Sequence, residues 1–190
     1  MIKQRIVFSV AAFFAICLFS SFDCFAQVAT PVRKIEPSFD IVLQTVIASN
    51  NDGKSDVPTS LSSIVRKLKI DFSFSNFRIA STSIQRIANK GGASSKSVSY
   101  LSDKNLAVFS EWTIDNLEST ADENGQETVQ IQSFRFGQRI PINNTTNYEQ
   151  VGINARFSLP KNAPIIVGSL PTSNPDDLMF VILTIRATEK

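Results

Sequence analysis

Histidine is missing from all 190 residues, and the only two cysteines, Cys17 and Cys24, stand near the N-terminus. Past residue 24 the chain therefore holds no side chain that ordinarily titrates near neutrality and no thiolate. Those absences exclude Ser–His–Asp and Cys–His nucleophilic systems and the usual side-chain ligation of zinc, haem and iron–sulfur clusters. Disulfides are excluded from the same stretch. Glycine is sparse, at seven residues. Gly91-Gly92 is the only adjacent pair, with no further glycine at loop spacing and Ala93-Ser94 rather than Lys-Ser/Thr directly behind it, so a phosphate-cradling loop is missing. An excess of either charge is missing too: 19 basic residues oppose 17 acidic ones. No strong field exists to gather nucleic acid or an anionic membrane. No cofactor and no nucleic-acid partner is expected.

What is present begins with a leader. Lys3 and Arg5 precede an apolar run, Ile6 to Phe19, broken only by Ser9, and a more polar stretch leads to Cys24-Phe25-Ala26. A positive start, an apolar run and small residues one and three positions before a cut make a secretory signal. The spacing predicts cleavage between Ala26 and Gln27, with Ala29 as the second choice. An uncleaved anchor is the alternative, but a spanning helix needs about 20 apolar residues and this run is shorter. Cleavage removes Lys3, Arg5 and Asp23. The 164 residues left carry 17 basic and 16 acidic side chains, a net charge of +1. The expected organisation is a signal peptide over 1–26, an extended segment with two prolines over 27–38, and a single β-rich domain over 39–190. The product is expected to be exported, to the periplasm or the medium. Membrane contact would come only through an uncleaved leader or a partner.

Within the domain, Phe39 to Ala48 reads as a strand covered on both sides. Phe39, Ile41, Leu43 and Ile47 share one face, and Val42 and Val46 the other. After the turn at Ser49 to Asp56, Leu61, Ile64, Val65 and Leu68 recur at i, i+3, i+4 and i+7, which predicts an amphipathic helix. Pro58 suits its first turn, and Asp56 or Thr59 is placed to cap it. Asp71 to Ala80 alternates, with a parity switch between Phe74 and Phe77 of the kind a bulge produces. Asn89 to Ser95 reads as a flexible connection. Leu106, Val108, Trp112 and Ile114 share a parity in a long strand, and Asn124-Gly125 signals a hairpin. Val129, Ile131, Phe134 and Phe136 follow, with a second parity switch at Ser133. Val151 to Leu159 alternates as a half-buried antiparallel strand. Ile165 to Val167 is a short apolar piece, 171–177 a loop, and Leu178 to Ile185 a central strand apolar on both parities. The sum is an α+β domain with a mainly antiparallel sheet of seven or eight strands and one helix packed on a face. A β-sandwich with a helical insertion is the alternative.

Few residues offer chemistry. Glu111 with Asp115, and Glu118 with Glu127, are conceivable carboxylate pairs for glycoside hydrolysis, although a solvated strand face explains them as well. Asp52 and Asp122-Glu123-Asn124 are acids in turns, without the spacing of a calcium loop. Asn143 to Thr146 contains overlapping Asn-x-Thr acceptors. Nine of the fifteen phenylalanines lie outside the leader, mostly on core parity. Trp112 is the first choice for a ligand contact if a pocket exists, with core packing as the competing explanation. Arg66 and Lys67 are candidate partner contacts, although positive charge near a helix C-terminus already has a structural reason.

The segment Phe134-Arg135-Phe136-Gly137-Gln138-Arg139-Ile140-Pro141 precedes a polar loop. It is followed by the strand Val151 to Leu159, the turn Pro160-Lys161-Asn162, the short strand ending Ile166-Val167-Gly168-Ser169, and the closing strand Leu178 to Ile185. This order resembles the end of the core domain of bacterial secretins, over about residues 127–188. The run from Leu61 to Arg78 resembles small secreted bacterial proteins that share this tail. The chain is too short for a ring-forming secretin and lacks long amphipathic hairpins. The resemblance implies an envelope domain that binds partners or itself through its sheet, and no catalytic residue. The functional expectation is therefore a non-enzymatic envelope protein acting by protein–protein association, with secretin- or pilus-related assembly as the narrower reading. A secreted binding module for a glycan, lipid or peptide is the alternative.

Overall fold

Strand β1 (Ser38–Ser49) carries apolar side chains on both faces, and the two faces meet different layers. The computed structural model describes residues 37–51, 54–101, 106–121, 127–142 and 147–188. The leader, most of the extended segment, and the turn residues Asp52, Asp122 to Asn124 and Asn143 to Thr146 lie outside them. After β1 come a helix, α1 (Ser62–Asp71), and strands β2 (Asn76–Ala88), β3 (Ala93–Leu101), β4 (Leu106–Ala121), β5 (Glu127–Pro141), β6 (Tyr148–Pro160), β7 (Ile165–Pro171) and β8 (Leu178–Ala187). The strands form two antiparallel four-stranded sheets, in the orders β2-β1-β8-β7 and β3-β4-β5-β6. From Glu36 onward the chain is one unit.

The two sheets bury a common core. Phe39, Ile41 and Leu43 of β1 and Val181, Leu183 and Ile185 of β8 meet Trp112, Ile114, Phe134 and Phe136 of the facing sheet. The opposite parity of the first sheet is covered by α1. Leu61, Ile64, Val65 and Leu68 pack there on Val46, Ala48, Phe77, Phe180 and Ile182. Each Val, Leu, Ile or Phe side chain so buried contributes about 1.5–3 kcal/mol. This explains why β1 and β8 are apolar on both parities: they are the inner strands of the sheet sandwiched between helix and second sheet. The mainly antiparallel sheet with a helix on one face and the sandwich with a helical insertion are thus features of one architecture.

Bulges set the faces of β2 and β5. Opposite β1, Thr45 pairs with Ser81 but Val46 with Ile79, so Ala80 is an extra residue of β2. Opposite β6, Ile131 pairs with Phe157 and Phe134 with Ala155, leaving one extra residue at Gln132–Ser133. The parity switch expected at Ser133 is this bulge; it keeps Val129, Ile131, Phe134 and Phe136 all in the core.

Three local expectations need correction. Asp71 to Ala80 is not one strand: α1 runs to Asp71, and β2 starts only at Asn76. The switch between Phe74 and Phe77 is therefore the passage from connection to strand, and the bulge sits further on. Asn89 to Ser95 is not all connection, since β3 begins at Ala93 and pairs with β4 along nine residues. Neither Asp56 nor Thr59 caps the helix with its side chain. A 3-10 turn over Thr59–Leu61 opens it instead, with Leu61 N–H donating to the Pro58 carbonyl at 2.9 Å. Asp56 bonds β2 through its backbone, its N–H donating to the Phe77 carbonyl at 2.9 Å.

Candidate functional site

Trp112 points into the core and is 4% exposed. Its indole N–H donates to Ser83 Oγ of the other sheet at 3.3 Å, so the one polar atom of the ring joins the two layers. The tryptophan belongs to the inter-sheet packing and its ring is not presented to a surface ligand. Arg66 and Lys67 are exposed on α1, away from its buried stripe. The structure does not bring Trp112 together with these two cations, because they lie in different layers.

The acidic candidates each face a cation. Glu111 lies 3.5 Å from Lys96, Asp115 3.3 Å from Arg135 and Glu118 3.8 Å from Lys90; Glu127 pairs with Lys161. All four carboxylates are at least one-third exposed, where such pairs contribute little stability.

The sequence points to the sheet as a contact surface, and the fold shows which of its features are open. The first is the set of strand edges. No ladder joins β2 to β3 or β6 to β7 among the described residues, so the sandwich does not close into a barrel. Part of the β2 edge is covered, because the strand-like segment at Asp56 lies along Phe77 to Ile79. A side-chain amide of Gln85 reaches the Ser94 carbonyl of β3. Along β6, by contrast, 13 residues form an edge. There Ile153 sits over Gly168 of β7, whose missing side chain makes room for it.

The second feature is a trough across the outer face of the β3-β4-β5-β6 sheet. Register places Lys96, Glu111, Gly137 and Gly152 side by side in one row, and directly opposed residues share a face. The two glycines lower the floor of that row. One wall is the row Val98, Phe109, Arg139 and Gln150; the other is Ser94, Thr113, Arg135 and Asn154. Two adjoining hollows of about 560 and 640 Å³ lie here and share Lys96, Glu111, Gly137 and Gln150. The Arg139 guanidinium lies 4.9 Å from the centre of the Phe109 ring, and Tyr148 meets the same ring edge-on at 5.8 Å. Arg135, two positions before Gly137, is held by Asp115. The sequence signal for the trough is the spacing Arg135-x-Gly137-x-Arg139 on one strand, where period two puts all three residues outward.

No protein-family profile matches the chain, and no curated protein matches it in sequence. Solved structures give a weak likeness to the secretin InvG of the Salmonella SPI-1 type III secretion injectisome. The likeness covers 82% of this chain and 64% of that one, at 14% identity and a TM-score of 0.31. An atomic model of the basal body proteins InvG, PrgH and PrgK gives the same identity and TM-score, with 46% of that chain covered. This chain thus spans under two-thirds of the chains it matches. At these values the likeness carries no argument about its role.

Proposed function

We propose that this chain is an exported, non-enzymatic envelope protein that acts by associating with other proteins through the open edges of its sheets. The narrower setting we propose is a secretin- or pilus-related assembly. The observation that carries the reading is the unclosed sandwich, above all the 13-residue edge of β6. An edge strand presents unpaired N–H and C=O groups to any chain that arrives extended, and strand addition is a recurrent mode of recognition. The edge strands bear few of the devices that discourage it. β3 has one charged residue, Lys96, and β6 two, Glu149 and Arg156, with proline only at its last position. Further support comes from the order of elements over residues 127–188, which resembles the close of the secretin core. The non-enzymatic part of the proposal rests on the lack of histidine and cysteine beyond residue 24, and on the four candidate carboxylates Glu111, Asp115, Glu118 and Glu127 each facing a cation.

Native gel and light scattering of envelope extracts test the proposal. The expected result is a particle well above the size of one 164-residue processed chain, either a self-assembly or a complex with another envelope protein. A free monomer without partners contradicts it.

A further inference from the structure

The trough on the outer face of the β3-β4-β5-β6 sheet has no place in an edge-to-edge association, yet its parts converge. We propose that it binds an acidic oligosaccharide, one whose sugar rings carry carboxylates. Its floor lacks side chains at Gly137 and Gly152, which admits close approach of a sugar ring. Its walls stand two residues either side of the floor, roughly 13 Å apart between Cα rows, which is wide enough for a sugar chain laid across the strands. The Phe109 ring supplies an apolar face. Gln150, Asn154 and Thr113 supply neutral donors and acceptors, and Glu111 accepts from hydroxyls.

The charges select an acid. Lys96 and Arg135 already face Glu111 and Asp115. Arg139, packed against Phe109, has no carboxylate partner among the described residues and is free to take one bidentately. Counting all five charged groups, the trough is positive by one. A peptide is the less favoured occupant on physical grounds. The backbone groups of β4 and β5 beneath the trough are spent in ladders on both sides, so an extended chain lying flat on this face, rather than along an edge, finds no main-chain partners there. Side-chain groups suited to hydroxyls and carboxylates remain, and those are what an acidic sugar offers.

The test is calorimetric titration of the full chain with an oligogalacturonate, its neutral galactose counterpart and hexaglutamate. The oligogalacturonate is expected to bind at least about tenfold more tightly than either of the others. Gly137→Val is the decisive variant. The nearest atoms to a Cβ at 137 are side-chain atoms at ordinary contact distance, Glu111 Cγ at 3.6 Å, Glu111 Oε1 at 3.7 Å and Gln150 Nε2 at 3.9 Å, and β-branched residues suit strands. The melting temperature should therefore hold while binding falls at least about tenfold. Arg139→Gln should lower affinity for the oligogalacturonate and leave the weak neutral binding unchanged. No uptake of the oligogalacturonate, equal uptake by Gly137→Val, or hexaglutamate bound as tightly would each overturn the proposal. Failure here leaves the edge-association reading intact, since that reading uses the backbone groups along β3 and β6 and the trough uses side chains on the outer face of the sheet.

Discussion

Glycine has three different jobs at Gly137, Gly152 and Gly168. A Cβ at Gly137 meets side-chain atoms at ordinary contact distance. At Gly168 it would stand 2.8 Å from Ile153 Cδ1, the end of a side chain that can turn aside, and at Gly152 it would stand 2.8 Å from the Phe136 carbonyl, which the ladder fixes. Alanine at 137 is therefore expected to be neutral or to stabilise by about 0.5–1 kcal/mol, since glycine is costly in a strand. Alanine at 152 is expected to destabilise by about 1–3 kcal/mol, with alanine at 168 between the two. Urea denaturation of the three variants gives the order, and a Gly137→Ala that proves the least stable would contradict it. At the same scale, Arg86 grips Asp40 with Nε at 2.8 Å and a terminal nitrogen at 3.1 Å. That hydrogen bond holds the Asp40 carboxyl below its usual range, against a smaller opposing effect of burial, and raises Arg86 in turn. A carboxylate with a lowered folded pKa stabilises above its unfolded pKa, and the effect fades as pH falls through the folded value. The stability difference between the protein and Asp40→Asn should accordingly be present at neutral pH and vanish in acid, and a difference that grows in acid would contradict the pairing.

The helix and the doubly covered strands are the elements that packing writes most clearly into sequence. Leu68 is fully buried where α1 meets Phe77, Phe180 and Ile182, and Leu68→Ala is expected to cost about 2–5 kcal/mol. Arg66→Ala on the exposed face should move stability by no more than about 0.5 kcal/mol. Thermal denaturation of both variants checks the contrast; equal effects would mean the helix does not use its apolar stripe. The stripe, both apolar parities of β1 and β8, and the Ser133 bulge were legible because each leaves a period in the sequence. Strand β3 was not: Ser94, Ser95, Ser97 and Ser99 have no apolar period, and the segment is ordered by its ladder with β4. Phe72 misled in the other direction. It alternates with Phe74 as if in a strand, but it follows the helix, its N–H donates to the Leu68 carbonyl, and its ring packs edge-on to Phe180 at 5.1 Å. The trough was nearly invisible because its residues come from four strands, and register alone assembles them.

Across the whole molecule, two sheets share one core, a helix covers the far side of the first sheet, and β3 and β6 are the edges of the second. The exposed apolar side chains Val98 and Tyr100 lie on β3, and Tyr148 begins β6, so the second sheet's edges combine free backbone groups with apolar surface. Association through those edges is the central claim, and site-specific photo-crosslinking in the producing cell tests it most directly. A photoreactive residue is placed at Ser99 on β3, at Ser158 on β6, and at Arg66 on α1, all exposed positions. The expected result is a protein adduct from one or both strand positions and none from the helix. Adducts from Arg66 alone, or none from any position in intact envelopes, would contradict edge association.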